Sequence, residues 1–528
     1  MRLIAPLAMM ADRHPRLLAL VLGVFAATGF APLGLWPLAM AAMGLFGWQI
    51  GRCISVRQAG WVGWFFGLGH FTFANNWIAT AFTYQAEMPA VLGWLAVPLL
   101  ALYLAVYPAI VAAASRAITG TLPGSGARWA LVPVFAACWT LAEMLRAVMF
   151  TGYPWNPFSM TLLGPFARPG LAMLAPWMGT YALSGLAVGV ALALVLALRD
   201  RRYIGFGVGA AVLALGMLLP AGKSAEGTQA FTLVQPNIGQ DVLNDPEYYE
   251  ANFVRLARLT PPKEPGRKRI VLWPESGLAD YLRPGYPQRY YNATTVLGNP
   301  DVARARIARL IGPDSVLLTG AVDLEIEQGR AVGAYNSVTA LDGRGQIIGS
   351  YAKAHLVPYG EYLPMRWLLE PLGISRLVPG AIDFIPGPGP GSIDLGAYGN
   401  IGVQICYEIV FSGQTVGRAQ RPAFLFNPTN DGWFGHFGPP QHLAQARMRA
   451  IEEGLPVLRA TTSGISAVID ARGVVRAYLP TGQDGRIDGF VPPAAAPTLF
   501  SRWGLLLSLG WGIIFLACGL VATRHRHG

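Results

Sequence analysis

Cys406 is the residue from which a chemistry can be built. The chain has four cysteines; Cys53, Cys138 and Cys518 fall in or beside long apolar stretches, and Cys406 alone lies in the polar insert. It therefore has no disulfide partner within that insert. An isolated cysteine is more often a buried small hydrophobe than a nucleophile. Its context argues the other way. The apolar run Ile401-Gly-Val-Gln-Ile405 ends at Cys406, and the polar pair Tyr407-Glu408 follows, which is the strand-end position where α/β sites gather. A thiol is mostly protonated at neutral pH and needs a base, and its attack on a carbonyl needs a cation or N–H groups for the oxyanion. Ile270-Val-Leu-Trp-Pro-Glu-Ser276 sets Glu275 just beyond a buried strand. Lys353-Ala-His-Leu-Val-Pro-Tyr-Gly-Glu-Tyr-Leu-Pro364 sets Lys353 and Glu361 around a constrained loop. Taken singly, Glu275 reads as a surface carboxylate and Lys353 as a solvated lysine. His355 and His442 offer a Cys–His dyad, but spacing identifies no partner for either, so that arrangement ranks below Glu/Lys/Cys. The histidines and acids show no metal-ligand spacing, and no phosphate loop or dinucleotide fingerprint appears, so neither a metal nor a cofactor is expected.

The elements that must position these residues read as layered α/β. From about Gln229, β-type runs at Phe231–Val234, Ile270–Trp273, Ser315–Thr319, Ser337–Ala340, Ile347–Tyr351, Ile401–Ile405, Ala423–Phe426 and Ala467–Ile469 alternate with helical segments. The helices are expected at Pro246–Leu259, Asp301–Ile311 and Gln441–Glu453. Pro386–Gly391 is a turn-rich loop, and Pro492–Pro497 is a short linker.

The rest of the chain is unlike this insert. Hydrophobic residues make up 53% and charged ones only 13%, which a water-soluble chain of this length could not bury. The net charge of +11 is no nucleic-acid footprint, because the insert at 223–501 is neutral and the excess sits in the apolar parts. Uncharged stretches long enough to cross a bilayer include Leu17–Gly51, Gln58–Ala86, Met88–Ser115, Pro169–Leu198, Tyr203–Gly222 and Trp503–Thr523. Leu17–Gly51 is interrupted at Pro32-Leu33-Gly34 and is expected to form a hairpin of two short spans. Trp129–Phe150 adds one more, carrying Glu143 and Arg146. The reading is seven spans (1–225), an extracytoplasmic insert (226–498), and an eighth span with a short tail (499–528). Arg2, Arg13, Arg16, Arg52, Arg57, Arg116, Arg128, Arg199, Arg201, Arg202, Arg524 and Arg526 all fall on one side if the N-terminus is cytoplasmic. Arg168, Lys223 and Arg502 are the basic residues of the opposite loops. Glu143 and Arg146, three apart on one helix face, have the spacing of an ion pair, or of a functional pair at membrane depth. Trp77 and Trp155, the latter in Thr151-Gly-Tyr-Pro-Trp155, read as interfacial aromatics or as the wall of a lipid cleft.

Taken together, the Glu, Lys and Cys motifs resemble the nitrilase superfamily. Trp-Pro-Glu-Ser, the long lysine motif, Cys406-Tyr-Glu and Asn427-Pro-Thr-Asn-Asp-Gly-Trp-Phe434 are similar to the apolipoprotein N-acyltransferase family. The resemblance covers the whole chain and implies eight transmembrane helices with an α/β nitrilase-like αββα sandwich inserted before the last. It implies Glu275 as general base, Lys353 as oxyanion cation and Cys406 as nucleophile, with Glu361, Tyr407 and Glu408 supporting the site. It also implies a ping-pong reaction without a cofactor. Cys406 takes an acyl chain from a phospholipid, typically phosphatidylethanolamine, and passes it to the amine of an S-diacylglyceryl-cysteine on an apolipoprotein at the periplasmic face of the inner membrane. Two departures are Asn244, on the arm after Gln235-Pro-Asn237 where some relatives carry a tryptophan, and Tyr359, where relatives often have phenylalanine. Glu143, Arg146, Trp155, Trp433 and Phe434 are candidate lipid contacts, and the loop Asp431–Pro440 is either a lipid-facing lid or an ordinary anchor. The competing readings are a membrane-anchored amidase hydrolysing small amides and a transporter or receptor whose insert performs no chemistry. Seven preceding spans exceed what a tether needs, and only Glu143 and Arg146 are paired polar residues within a span.

Overall fold

The computed structural model describes residues 5–84, 91–120, 125–222, 225–264, 266–369, 371, 382–417 and 420–524. Arg2, Met88, Lys223 and Arg526 lie outside the described residues. The chain forms two compact units: one comprises residues 1–79, 90–221 and 497–528, and the other residues 80–89 and 222–496.

The first unit is helical. Among the described residues, four helices are long and apolar enough to cross a membrane: Val91–Thr119, Arg128–Val148, Leu171–Arg199 and Leu505–Arg524. The eight spans expected from the sequence are therefore not all of this kind. Leu17–Gly51 does break at Pro32-Leu33-Gly34, into helices Pro15–Ala27 and Trp36–Arg52, each short of a full crossing. Val56–Ala74 is 19 residues long but carries Arg57, Gln58 and His70, and Tyr203–Leu218 has 16 residues. Small residues let these helices approach closely, as in lipid, where packing rather than water drives association. A Cβ at Gly23 would meet the Phe66 carbonyl oxygen at 2.0 Å, and one at Gly69 the Leu20 oxygen at 2.1 Å. Ile204, Val208, Val212 and Leu215, and Leu506 and Ile513 of the last helix, stand exposed. So much bare apolar surface marks a lipid-facing helix.

The second unit is built on two six-stranded sheets. The first runs in the order β12-β1-β2-β3-β4-β5 and the second β11-β10-β9-β8-β7-β6. The strands are β1 Ala230–Gln235, β2 Arg269–Leu272, β3 Ser315–Glu327, β4 Arg330–Asp342, β5 Ile347–Ala352 and β6 Gly391–Asp394. They continue as β7 Asn400–Val403, β8 Phe424–Thr429, β9 Val457–Thr461, β10 Ser466–Ile469, β11 Val475–Leu479 and β12 Gly485–Phe490. β1-β2-β3 and β7-β8-β9 are parallel, and the outer strands pair antiparallel. Side chains alternate across a strand, so each central strand serves two cores. Leu233, Leu272 and Leu318 meet Val403, Phe426 and Leu458 between the sheets. Val234, Val271 and Leu317 turn the other way, onto Phe253, Leu256, Ile307 and Ile311 of helices Tyr249–Leu259 and Pro300–Ile311. Helix Gly438–Glu453 packs on β9 of the second sheet.

Every strand expected from the sequence is present. β6, β9, β11 and β12 were not anticipated, and β3 and β4 form a hairpin of two 13-residue strands, far longer than the apolar runs inside them. Helix Gln288–Thr294 was also not anticipated.

Candidate active site

Three strand ends deliver the candidate residues. Glu275 follows β2, Lys353 follows β5, and Cys406 follows β7. Close packing holds the first: a Cβ on Gly320 of β3 would meet the Glu275 carbonyl oxygen at 2.0 Å, so only glycine lets the two backbones lie together.

Lys353 is 1% exposed. Its Nζ donates to Glu361 Oε1 at 2.9 Å and to Glu275 Oε1 at 3.4 Å. Burial alone pushes this ammonium toward neutrality, but the charges of Glu361 and Glu275 outweigh it and hold Lys353 above the ordinary lysine range. Glu275 Oε2 accepts the backbone N–H of Asn430 at 2.8 Å, and Glu361 Oε2 accepts that of Val357 at 2.7 Å. Asn336 of β4 joins the two carboxylates, its Nδ2 donating at 2.8 Å both to Glu275 Oε1 and to Glu361 Oε1. Sequence reasoning missed Asn336. The available signal was an amide side chain inside a strand, where asparagine is disfavoured.

Cys406 is buried and takes a left-handed backbone conformation, φ +49°. Such a conformation is uncommon for a residue with a side chain and persists only where surroundings enforce it. One enforcing contact is His442, whose Nε2 lies 3.1 Å from the Cys406 carbonyl oxygen. His442 Nδ1 lies 3.0 Å from Arg459 Nη2 and 2.9 Å from Asp431 Oδ1. The Cys406 carbonyl can only accept, so Nε2 carries a proton and donates to it. Burial, followed by the Arg459 charge, lowers the pKa of this imidazole, in keeping with a neutral ring. Arg459 also binds both Asp431 oxygens, at 2.9 and 2.7 Å. Thr429, beside the thiol, donates its hydroxyl to Asp431 at 3.2 Å. Burial pushes the Cys406 thiol up, the Glu275 charge adds to this, and Lys353 pulls it down without reversing the balance. The resting group is therefore a thiol within the field of both a carboxylate and an ammonium.

Neither histidine forms a Cys–His dyad. His355 stacks on Phe411 and its Nε2 engages Gln414 at 2.6 Å, while His442 holds the backbone of Cys406. Glu408 is also a positioning group. Its Oε1 accepts from Tyr351 Oη at 2.7 Å and from the N–H groups of Ala354 at 2.7 Å and His355 at 3.3 Å. Its Oε2 accepts the N–H of Ile405 at 2.7 Å. Tyr407 is buried with its ring edge on Phe411.

The chain belongs to the apolipoprotein N-acyltransferase family. It is 33% identical to the apolipoprotein N-acyltransferase of Rhodopseudomonas palustris, covering 96% of this chain and 95% of that one. It is 34% identical to that of Bradyrhizobium diazoefficiens, covering 97% and 95%. Residues 22–193 match the Apolipoprotein N-acyltransferase N-terminal domain, and residues 232–494 match Carbon-nitrogen hydrolase. The crystal structure of an amidase from Nesterenkonia sp. aligns with 51% of this chain and 93% of its own, at 15% identity and a TM-score of 0.31. Membership makes the chain an enzyme of the carbon-nitrogen hydrolase superfamily and a membrane protein.

The candidate lipid contacts of this family member fall in different settings. Glu143 and Arg146 share a pocket with His70, Tyr107, Trp139 and Asn156 in the helical unit, yet they form no ion pair within 4 Å among the described residues. Glu143 Oε1 instead accepts from Trp139 Nε1 and the Phe158 N–H, both at 2.8 Å. Arg146 donates to the Trp155 carbonyl at 2.8 Å. Trp155 is 1% exposed and packs on Trp77 with ring centroids 4.7 Å apart, so it is no surface aromatic. In the loop after β8, Asp431 is tied down by Arg459 and Phe434 packs edge-on to His442. Trp433 is half-buried with its ring beside Tyr84, 5.8 Å between centroids. The root of this loop is an anchor; Trp433 is only half-buried, and the exposed residue of the loop is His436.

Proposed function

We propose that the chain moves a fatty acyl group from a phospholipid, through a thioester on Cys406, to the N-terminal amine of an S-diacylglyceryl-cysteine on apolipoproteins. The single observation that carries this is similarity at one-third identity, along nearly the full chain, to proteins named apolipoprotein N-acyltransferase. An amidase acting on small amides needs only the second unit, and the match at 22–193 speaks against it.

In the mechanism proposed, Glu275 takes the thiol proton as Sγ attacks the ester carbonyl carbon. Lys353 donates to the oxyanion, joined by the Tyr407 N–H. Collapse breaks the ester C–O bond, and Glu275 returns the proton to the departing lysophospholipid alkoxide. The acceptor amine then attacks the thioester, Glu275 takes one of its protons, and as the C–S bond breaks Glu275 passes that proton to Sγ, restoring the Cys406 thiol. Burial of the site strengthens each of these electrostatic steps. Glu361 and Asn336 position Lys353 and Glu275, and Glu408 positions the two backbones around them. Phosphatidylethanolamine as donor, with Trp433, Phe434, Trp155, Glu143 and Arg146 as lipid or substrate contacts, belongs to the same proposal. So do the eight spans, residues 226–498 as a periplasmic catalytic domain, residues 1–225 and 499–528 in the inner membrane, and both termini in the cytoplasm. Holding both lipidated substrates at one surface removes the need to extract either and raises their effective concentration.

The test is transfer itself. The purified chain in detergent, given phosphatidylethanolamine with a deuterated acyl chain and a synthetic diacylglyceryl-cysteinyl peptide, should give a peptide heavier by that acyl group. Free fatty acid with unmodified peptide would return the chain to the hydrolase reading.

A further inference from the structure

At the arginine-rich end of the helical unit, a pocket of about 410 Å³, counted to its open mouth, is lined by Trp48, Arg116, Thr119, Arg128 and Arg199 among others. These residues come from the ends of four helices that are distant in sequence. Arginines at membrane boundaries ordinarily reach into water. Here Arg116 is only 6% exposed, its Nε donating to the Cys53 carbonyl at 2.6 Å.

The local charge is unbalanced. Asp200 is the one carboxylate at the pocket's edge among the described residues, and both its oxygens are taken, by Arg128 Nη2 and by Trp129 Nε1, each at 3.1 Å. Arg52, nearby, is already paired with Asp12. Arg116 and Arg199 have no carboxylate within 4 Å among the described residues, and Arg199 lies within electrostatic reach of two cations, Arg128 and Arg52, against the one carboxylate, Asp200. Helix C-terminal dipoles offset part of this charge. Independently of this charge, Trp48 lines the pocket, is 4% exposed, and its Nε1–H has no acceptor among the described residues. Arg128 Nε is likewise unpaired. A buried donor without an acceptor is destabilising, so uncompensated cations and idle donors at one cavity call for an oxygen-rich anion.

We propose that this pocket binds a phosphate group, supplied by the headgroup of an anionic phospholipid seated between the helix ends. Guanidinium forks match phosphate oxygens two at a time, and the apolar outer surface of these helices keeps the lipid's chains beside the site. The pocket is separate from the Glu275, Lys353 and Cys406 cluster and does not depend on the reading of that cluster.

Native mass spectrometry of the delipidated full-length chain in detergent tests this, with phosphatidylglycerol and phosphatidylcholine offered in turn. Phosphatidylglycerol should be retained about tenfold more, and Arg199→Gln should lower that retention about fivefold, the weight of one arginine near anionic lipid. Arg199→Lys should keep retention within about twofold of wild type, since lysine still holds phosphate as a point charge. A separate arm measures the unfolding temperature of the wild type in inorganic phosphate without lipid. A rise there, absent in Arg199→Gln and without any lipid preference, would keep the site and assign it to free phosphate. Equal retention of both lipids with no effect of phosphate on the wild type, or phosphatidylglycerol retention that Arg199→Gln leaves unchanged, would overturn the proposal.

Discussion

Glu408, two residues beyond the proposed nucleophile, ties the backbone after Lys353 to the backbone before Cys406 by accepting three N–H bonds, and it accepts a fourth bond from the Tyr351 hydroxyl. Burial nonetheless pushes its carboxyl up to about 7, against the pull of those donors and of Lys353. Between its ordinary value of 4.5 and about 7, the folded chain holds a proton that the unfolded chain has released. The contribution of this group to stability is thus full below about pH 4.5 and is lost as pH rises to about 7. The unfolding temperature of the wild type in detergent, relative to Glu408→Gln, should fall over that range and level off above it; a flat difference would show that burial does not retain the proton. Lys353→Met should lower the rate of Cys406 acylation by about 10²–10³-fold, the usual loss for one oxyanion donor. His442→Ala should slow acylation by about 10²-fold through misplacement of Cys406. The lipid KM should stay near wild type, whereas a purely structural histidine would change the amount of folded protein instead. Cys406, Glu275, Lys353, Glu361 and Glu408 were all legible in the sequence, because each sits in a strand-end motif. Asn336 was not, since its partners lie 61 and 25 residues away and only the fold brings them together.

At the scale of elements, the parallel core strands were visible because they are short, uninterrupted apolar runs. β9, Val457–Thr461, was hidden by Arg459 at its centre, a charge that reads as solvent-exposed. In the fold Arg459 is fully buried, paired with Asp431 and bonded to Asn427 and His442. β11 and β12 were hidden as well: they lie at the outer ends of their sheets, and their side chains are half-buried or exposed throughout. The β3–β4 hairpin outruns its apolar segment because its far end is polar, closing at Gln328-Gly329. Where β3 passes the Glu275 loop, Gly320→Ala should displace the proposed general base. Its Cβ would fall 2.0 Å from the Glu275 carbonyl oxygen and 2.4 Å from its carbon, and overpacking of this kind costs about 1–3 kcal/mol. Both the acylation rate and the denaturation midpoint should drop. Wild-type rates in Gly320→Ala would mean that the Glu275 loop is not held in this way.

At the scale of the whole molecule, the bare apolar faces of Tyr203–Leu218 and Leu505–Arg524 and the one-sided arginines belong to a membrane protein whose insert is extracytoplasmic in the topology proposed. Gln328, at the tip of the β3–β4 hairpin, is exposed. A Gln328→Cys variant in a Cys406→Ala background should react with a membrane-impermeant maleimide added to intact spheroplasts, and failure to react until lysis would invert the topology. The central claim, that Cys406 carries the acyl group between two lipid substrates, is tested most directly by intact mass. Purified wild-type chain and Cys406→Ala would each be incubated with phosphatidylethanolamine of defined acyl chains and no acceptor. One fatty-acyl increment is expected on the wild type alone, removed by hydroxylamine. An unmodified wild type whose thiol still reacts with an alkylating reagent, or an equal increment on Cys406→Ala, would contradict it.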